Sequence, residues 1–140
     1  MSVVDTNILV YATSLGSEER ERARRALERL QSEGAVSTTR QIVREYLATM
    51  TRPQAGRAPL KLAQATAEVE RFLEEFDMLE DGLQTSRELP ALTKRVQFGG
   101  KQVHDADIVA TLLAHGETRL LTFNGTDLRR LTPLIEIVEL

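Results

Sequence analysis

The stretch "KQVHDADIVATLLAHG", residues 101–116, predicts a helix that carries a carboxylate on its apolar face. At about 100° per residue, the large apolar side chains of this helix cover an arc of roughly 140°. They are Ile108, Val109, Leu112 and Leu113. Asp105 projects into the middle of that arc, whereas Asp107 is expected to point towards water. An isolated ionised carboxylate is costly in apolar surroundings, so Asp105 needs a backbone amide, a cation or a metal ion as its partner.

The composition is that of an ordinary globular protein. The chain has 140 residues, of which 41% are hydrophobic and 28% charged, and we expect a single domain over residues 1–140. The absence of cysteine excludes thiol catalysis, disulfides and thiolate metal sites. The start "MSVVDTN" lacks the basic leader of a signal peptide, and no apolar run is long enough to span a bilayer. These features predict a cytoplasmic protein without a membrane segment.

The charge pattern limits how the chain could bind nucleic acid. The formal net charge is −3, whereas a protein that holds nucleic acid by electrostatics alone should be basic. Any such contact must therefore depend on local arginines and lysines or on a bound cation. One cluster of arginines alternates with glutamates, as is typical of a solvated helix face. It comprises Arg20, Arg22, Arg24, Arg25 and Arg29.

Short apolar runs alternate with helical patterns along the chain. The sequence predicts strands at residues 2–4, 35–39, 118–124 and 134–140. The segment "ILVYA" at 8–12 either extends the first strand or begins a helix. Because strands and helices alternate, we expect an α/β fold with a central parallel sheet covered on both faces.

Amphipathic periodicity predicts the helices between these strands. A helix over 17–34 has Ser17 as a candidate N-cap and Gly34 as its stop. A second helix over 40–51 ends before Pro53, and residues 53–59 form the expected loop.

Two further helices are predicted in the middle of the chain. The first covers 60–79, and the second covers 85–97, where Pro90 suits a first turn or a kink. The residues of the first helix expected to face inward are Leu62, Val69, Phe72, Leu73 and Phe76.

Acidic and amide side chains from distant parts of the chain are expected at one edge of the sheet. Asp5 ends the first strand, Asn124 and Asp127 follow a later one, and Asp105 lies at a helix start. Glu45 flanks the apolar arc of its own helix. Ligands of open parallel sheets bind outside the carboxyl ends of the strands. An all-oxygen cluster there suits Mg²⁺ or Mn²⁺, which could activate water for phosphodiester cleavage.

Each of these residues also has an ordinary structural interpretation. Asp105 could cap its helix, Glu45 could form a surface ion pair, and Asn124 with Asp127 could be turn chemistry. Other enzyme classes fit less well. The "HD" at 104–105 lacks the additional upstream histidines of HD phosphohydrolases, and "GGK" at 99–101 lacks the spacing of a phosphate loop. A phosphatase pattern would need a second aspartate where Asn7 stands.

Four segments taken together resemble the PIN-domain family, and more narrowly its VapC-type ribonuclease toxins. They are "VVDTNILVYA" at 3–12, "TTRQIVREYLATMTRP" at 38–53, "GGKQVHDADIVATLLAHG" at 99–116 and "RLLTFNGTDLRRL" at 119–131. They follow the family's order and spacing. The resemblance implies a PIN-like three-layer α/β/α fold. It also implies a metal-dependent endoribonuclease that hydrolyses RNA as the toxin of a type II toxin–antitoxin system.

The resemblance also assigns roles to residues of this chain. It implies Asp5, Glu45 and Asp105 as the first three acids, with the Thr6 hydroxyl beside the first of them. At the fourth place, directly after the "LLT" strand, many relatives have aspartate, whereas this chain has asparagine. Asn124 occupies that place, and Asp127 is the nearest available carboxylate.

These assignments lead to a hypothesis for the site. Asp5 and Asp105 would bind Mg²⁺ or Mn²⁺, and Glu45 would orient or deprotonate the attacking water. Asp127 or Asn124 would complete the outer coordination or a second metal site. The side chains close in sequence to the acids that could hold substrate phosphates are Arg40, Arg44 and Lys101.

The resemblance further implies a homodimer and a VapB-type antitoxin whose peptide blocks the acidic cleft. The main alternative is a catalytically silent PIN fold that acts as a binding or scaffold module. Asn124 and the negative net charge favour this alternative. Metal binding together with RNA cleavage would separate the two functions.

Overall fold

A five-stranded parallel sheet forms the centre of the protein, in the order β3-β2-β1-β4-β5. The computed structural model describes residues 1–54 and 57–140. All four predicted strands are present, and the structure adds a fifth, β3. The strands are β1 (Ser2–Val4), β2 (Val36–Thr39), β3 (Asp77–Leu79), β4 (Arg119–Thr122) and β5 (Glu136–Glu139).

Helices flank the sheet and complete the α/β/α arrangement that the sequence predicted. They are α1 (Thr6–Thr13), α2 (Glu18–Glu33), α3 (Arg40–Thr51), α4 (Leu62–Glu75), α5 (Leu83–Leu92), α6 (Gln102–Ala114) and α7 (Gly125–Leu128). A 3₁₀ turn over Arg129–Leu131 follows α7. The segment "ILVYA" is therefore helical. No helix in the described part of the chain has the length and apolar character needed to cross a membrane.

The predicted ends of α2 are confirmed. The Ser17 hydroxyl accepts a hydrogen bond from the Arg20 amide at 3.2 Å, as an N-cap should. At the other end, the Gly34 amide donates to the Leu30 carbonyl at 3.0 Å. The predicted loop at 53–59 includes residues 55 and 56, which lie outside the described residues.

The helix predicted over 60–79 is shorter than expected, and its buried apolar face is narrower. It ends at Glu75, and Asp77–Leu79 form an edge strand paired with β2. Leu62 and Leu73 are 65% and 49% exposed, so the prediction that they face inward was wrong. At about 100° per residue, Leu62 lies roughly 50° and Leu73 roughly 70° from the axis of the stripe that is buried. That stripe consists of Ala65, Val69, Phe72 and Phe76.

Two other expectations need correction. The helix predicted over 85–97 runs instead over Leu83–Leu92, with Pro90 in its interior. Asp107 is half-buried on α6 and does not point freely into water.

Aromatic packing joins α3 to α4. The buried Tyr46 ring meets Phe72 edge-on at a centroid distance of 5.2 Å, and Phe76 stacks on Phe72 at 5.8 Å. The Tyr46 hydroxyl lies 2.9 Å from the Thr13 hydroxyl of α1, so this buried polar group is satisfied. These contacts hold α3 in place.

Replacing Phe72 with alanine should lower the free energy of unfolding by about 3–5 kcal/mol, because Phe72 is 1% exposed and the change leaves a cavity. Leu73→Ala, one residue along the same helix, should cost less than about 1 kcal/mol. Urea unfolding of both variants measures the difference. Equal losses would mean that Leu73 faces inward after all.

Candidate active site

The two central strands end beside each other and bring Asp5 next to Thr122. The Asp5 amide donates to the Leu121 carbonyl at 2.9 Å, which continues the pairing of β1 with β4 by one residue. Asp5 is also the N-cap of α1, since its Oδ1 accepts from the Thr6 amide at 2.7 Å. The first acid is thus fixed by the sheet and by a helix start.

Two uncharged side chains bind the second oxygen of Asp5. The Thr122 hydroxyl donates to Asp5 Oδ2 at 2.7 Å, and the Asn7 amide donates to the same atom at 3.1 Å. Asn7 also donates to Thr122 Oγ1 at 3.1 Å. The sequence prediction missed both residues as parts of the site. The only signals were their places in "DTN" and at the end of "LLT".

The hydrogen bonds of Glu45 connect three helices. Its Oε2 accepts from the Thr6 hydroxyl at 2.8 Å, and its Oε1 accepts from the Gln41 amide at 2.7 Å. The same Gln41 amide donates to the His104 carbonyl at 2.9 Å. Gln41 is 8% exposed and therefore links α3 to the start of α6 inside the protein. The sequence prediction missed Gln41 because nothing in the sequence places it against His104.

Asp105 lies in the first turn of α6 and does not cap that helix. Lys101 occupies the N-cap position and makes no side-chain capping bond. Among the residues that the structure describes, none donates a hydrogen bond to the Asp105 carboxylate. The capping interpretation of Asp105 was therefore wrong, and its charge is not met by a backbone amide.

The acids influence one another electrostatically. Burial, followed by the charges of Asp105 and Glu45, raises the pKa of Asp5 to about 6 against the opposing effect of the hydrogen bonds from Thr122 and Thr6. Burial also raises the pKa of Asp105, together with the charges of Glu45 and Asp127. Asp5, Glu45 and Asp127 thus all lie within range of the charge of Asp105.

Asn124 and Asp127 form a local pair at the edge of this cluster. The Asn124 side-chain amide donates to Asp127 Oδ2 at 2.7 Å, and both side chains are exposed. The Asn124 backbone amide donates to Thr122 Oγ1 at 2.9 Å. The pair therefore shapes the turn before α7 and also adjoins the residues that hold Asp5.

The basic residues predicted near the acids differ in their surroundings. Arg40 lies 3.3 Å from Glu80 and 3.7 Å from Asp81, and Arg44 lies 3.9 Å from Asp81. Both arginines would have to leave these exposed ion pairs to bind a phosphate. Lys101 is exposed and forms no ion pair within the described ranges.

A metal site here would use few protein ligands. In residues 1–54 and 57–140, no three His, Cys, Asp or Glu side chains are arranged to hold one ion. Mg²⁺ usually takes only one or two carboxylates and keeps several waters. The oxygen donors of Asp5 and Asp105, with their mutual repulsion, fit such a water-rich site. They do not form a closed cage.

The Gln41 link can be tested by removing its donor. Gln41→Met keeps the approximate length of the side chain but leaves Glu45 and the His104 carbonyl without that donor, so we expect a loss of about 1–3 kcal/mol in unfolding free energy. Gln84 makes the same helical bond to Glu88 at 3.2 Å, but on the surface. Gln84→Met should therefore cost less than about 0.5 kcal/mol. Equal effects in thermal unfolding would argue against a buried link.

The raised pKa of Asp5 predicts a pH dependence of stability in EDTA. A carboxyl whose pKa rises from 3.8 to about 6 on folding favours the folded state below pH 3.8, and this advantage is lost as the pH rises through 6. This change in pKa on folding corresponds to a change of about 3 kcal/mol at most in the free energy of unfolding.

Asp5→Asn removes this titration. As the pH is raised from about 4 to 7, the unfolding free energy of the variant should therefore fall less than that of the unmodified protein. Denaturant titrations at several pH values give both profiles. Parallel profiles would show that Asp5 titrates normally.

The fold is shared with proteins of several toxin–antitoxin systems. A chain of VapBC2 from Rickettsia felis, solved with a DNA fragment from the promoter, has a TM-score of 0.73 and 17% identity, covering 99% of this chain and 98% of that chain. VapBC-1 from nontypeable Haemophilus influenzae has a TM-score of 0.69 and 18% sequence identity, and the match covers 99% of this chain and 96% of that chain. VapC20 of Mycobacterium tuberculosis, a Sarcin-Ricin loop cleaving toxin, has a TM-score of 0.66 and 16% sequence identity. The match covers 91% of this chain and 92% of that chain.

A comparison with protein families agrees with this fold. No curated protein sequence matches the chain significantly. The sequence model of the PIN domain matches residues 2–132, which is nearly the whole chain and includes every candidate acid. The chain therefore belongs to the PIN domain family.

Proposed function

We propose that this PIN-domain protein is a metal-dependent endoribonuclease that hydrolyses phosphodiester bonds of RNA. The observation that carries the proposal is the repulsive pair of Asp5 and Asp105, whose pKa values are both raised by burial and by neighbouring acids. In their ionised form, carboxylates arranged this way are stabilised by a cation, and Asp105 accepts no hydrogen bond from the described residues. A site that concentrates uncompensated negative charge suits a divalent cation and a phosphate substrate.

Asp5 and Asp105 would hold Mg²⁺ or Mn²⁺. When bound, such a cation supplies positive charge that stabilises the anionic transition state and makes water more acidic. The protein's own contribution is orientation, because Thr122 and Asn7 fix the second oxygen of Asp5 before any ligand arrives. Asp127, or the Asn124 carbonyl oxygen, would complete the outer coordination.

Glu45 would orient the attacking water and take its proton. Thr6 and Gln41 each donate to a different oxygen of this carboxylate, so its plane is fixed. Each oxygen still has a lone pair free to accept a hydrogen bond from water. A fixed acceptor near the scissile phosphate lowers the entropic cost of reaching the transition state.

The structural relatives support a proposal for the biological setting. Several of them are VapBC complexes, and one is a toxin that cleaves the Sarcin-Ricin loop. We propose that this chain is the toxin of a type II pair, that it forms a homodimer in the cytoplasm, and that a VapB-type antitoxin covers its acidic cleft. We further propose that residues 1–140 form one PIN-like domain, as the family match over 2–132 supports.

The second candidate is a silent PIN fold that binds a partner without cutting RNA. Two observations favour it. Asn124 occupies the place where many relatives have an acid, and no three-acid metal group exists among the described residues. This alternative predicts neither metal binding nor cleavage.

RNA cleavage by the purified chain tests the proposal. Cleavage should require Mg²⁺ or Mn²⁺, stop in EDTA, and fall by about 100-fold or more in Asp105→Asn, because one of two proposed metal ligands loses its charge. Asp107→Asn is the matched control, since Asp107 is a half-buried acid two residues along α6 whose pKa is also raised, first by burial. It should retain most of the activity.

If no RNA is cut, metal binding measured by calorimetry still tests the proposed metal site. Binding that is lost in Asp105→Asn but kept in Asp107→Asn would support the site without its substrate. If neither binding nor cleavage occurs, the silent module is correct.

A further inference from the structure

We propose that Arg22, held against the ring of Phe123, binds a backbone phosphate of single-stranded RNA. The Arg22 guanidinium carbon lies 5.5 Å from the centroid of the Phe123 ring, within the range of a cation–π contact. This inference rests on the proposed ribonuclease function. It names the side chain that brings the polyanionic substrate to a cluster of acids.

A short series of contacts connects Arg22 to Asp5. The Phe123 ring meets Tyr11 edge-on at 4.9 Å, and the Phe123 amide donates to Asn7 Oδ1 at 3.0 Å. Asn7 in turn donates to Asp5 Oδ2. Phe123 is also the residue between Thr122 and Asn124, both of which belong to the site. The residue whose ring supports Arg22 therefore also contributes, through its backbone amide, to the hydrogen bonds that hold the first acid.

Arg22, like Arg20 and Arg24 but unlike Arg25 and Arg29 of α2, has no acidic partner among the described residues. Arg25 lies 3.0 Å from Glu21, and Arg29 lies 3.8 Å from Glu33. Arg22 is exposed, and no described carboxylate is within ion-pair distance of it. The carboxylates of Glu18 and Glu19, one turn earlier on α2, also lie beyond that distance. Its charge is therefore available to an external anion.

The chemistry of arginine suits a phosphate at this position. A guanidinium offers paired N–H groups that match two phosphate oxygens, and its weak hydration lets it remain stacked on an aromatic ring. The Phe123 face restricts the side chain before RNA arrives, which reduces the entropy lost on binding. The arginines that the sequence suggested for this task, Arg40 and Arg44, are occupied by Glu80 and Asp81.

The salt dependence of RNA binding tests this role separately from cleavage. The probe is a short, labelled, mixed-sequence single-stranded RNA, and affinity is measured by fluorescence anisotropy over a series of KCl concentrations in the Asp105→Asn background. Each phosphate contact to a single strand contributes about 0.7 to the slope of log affinity against log salt. Arg22→Ala should therefore reduce that slope by about 0.7 and weaken binding about 5- to 10-fold at low salt.

Three further variants separate charge from structure. Arg22→Lys keeps the charge and should restore most of the slope. Phe123→Leu removes the ring under the guanidinium and should weaken binding about 2- to 5-fold with less change in slope. Arg25→Ala is the matched control on α2, because Arg25 is already paired with Glu21, and it should leave both quantities unchanged.

The possible results are distinguishable. If the unmodified protein cleaves RNA but Arg22→Ala and Arg25→Ala give the same slope, the phosphate role of Arg22 is wrong and the proposed function stands. If the unmodified protein neither cleaves nor binds RNA, the proposed function fails, and the role of Arg22 fails with it. A slope reduced only in Arg22→Ala and restored in Arg22→Lys supports the proposal.

Discussion

The carboxylate of Asp5 is the group on which the rest of the structure depends. One of its oxygens caps α1, and the other accepts from Thr122 and Asn7. These three bonds join the end of β1, the start of α1 and the end of β4 at one point. The bonds from Thr122 and Thr6 also favour the charged form of a carboxyl whose pKa is raised by burial. The Asp5 side chain thus contributes both to the stability of the fold and to the candidate active site.

Stability and function make opposite demands on this region. A core built for stability alone would pair each buried charge or replace it with an apolar group. Here uncharged donors hold Asp5 and Glu45, while Asp105 is left without a donor in the described part of the chain. Repulsion between these carboxylates therefore remains in the folded protein. It is also the property that makes the cleft attractive to a cation.

Much of the fold could be predicted from the sequence, because long periodic helices and buried strands leave strong patterns. The nearness of Asp5 and Asp105 could be predicted because strand ends and helix starts meet at one edge of a parallel sheet, whereas Glu45, inside α3, was suggested by the family resemblance. The short β3 was missed because three residues at the end of a helix carry no period of their own. Gln41 and Thr122 were missed because the role of a neutral side chain depends on its spatial neighbours. The spacing of apolar residues also could not show that Leu73 is half exposed.

The pairing of β1 with β4 has a consequence for protein synthesis. Thr122 reaches Asp5 across 117 positions of sequence, and β5 pairs with β4 along its whole length. Thr6 and Asn7 leave the ribosome directly after Asp5, whereas Thr122 leaves more than a hundred residues later. A nascent chain therefore carries Asp5 without the geometry of the finished site until Thr122 has emerged. Contacts this distant in sequence also slow folding, so the cleft is assembled only after β4 has been made.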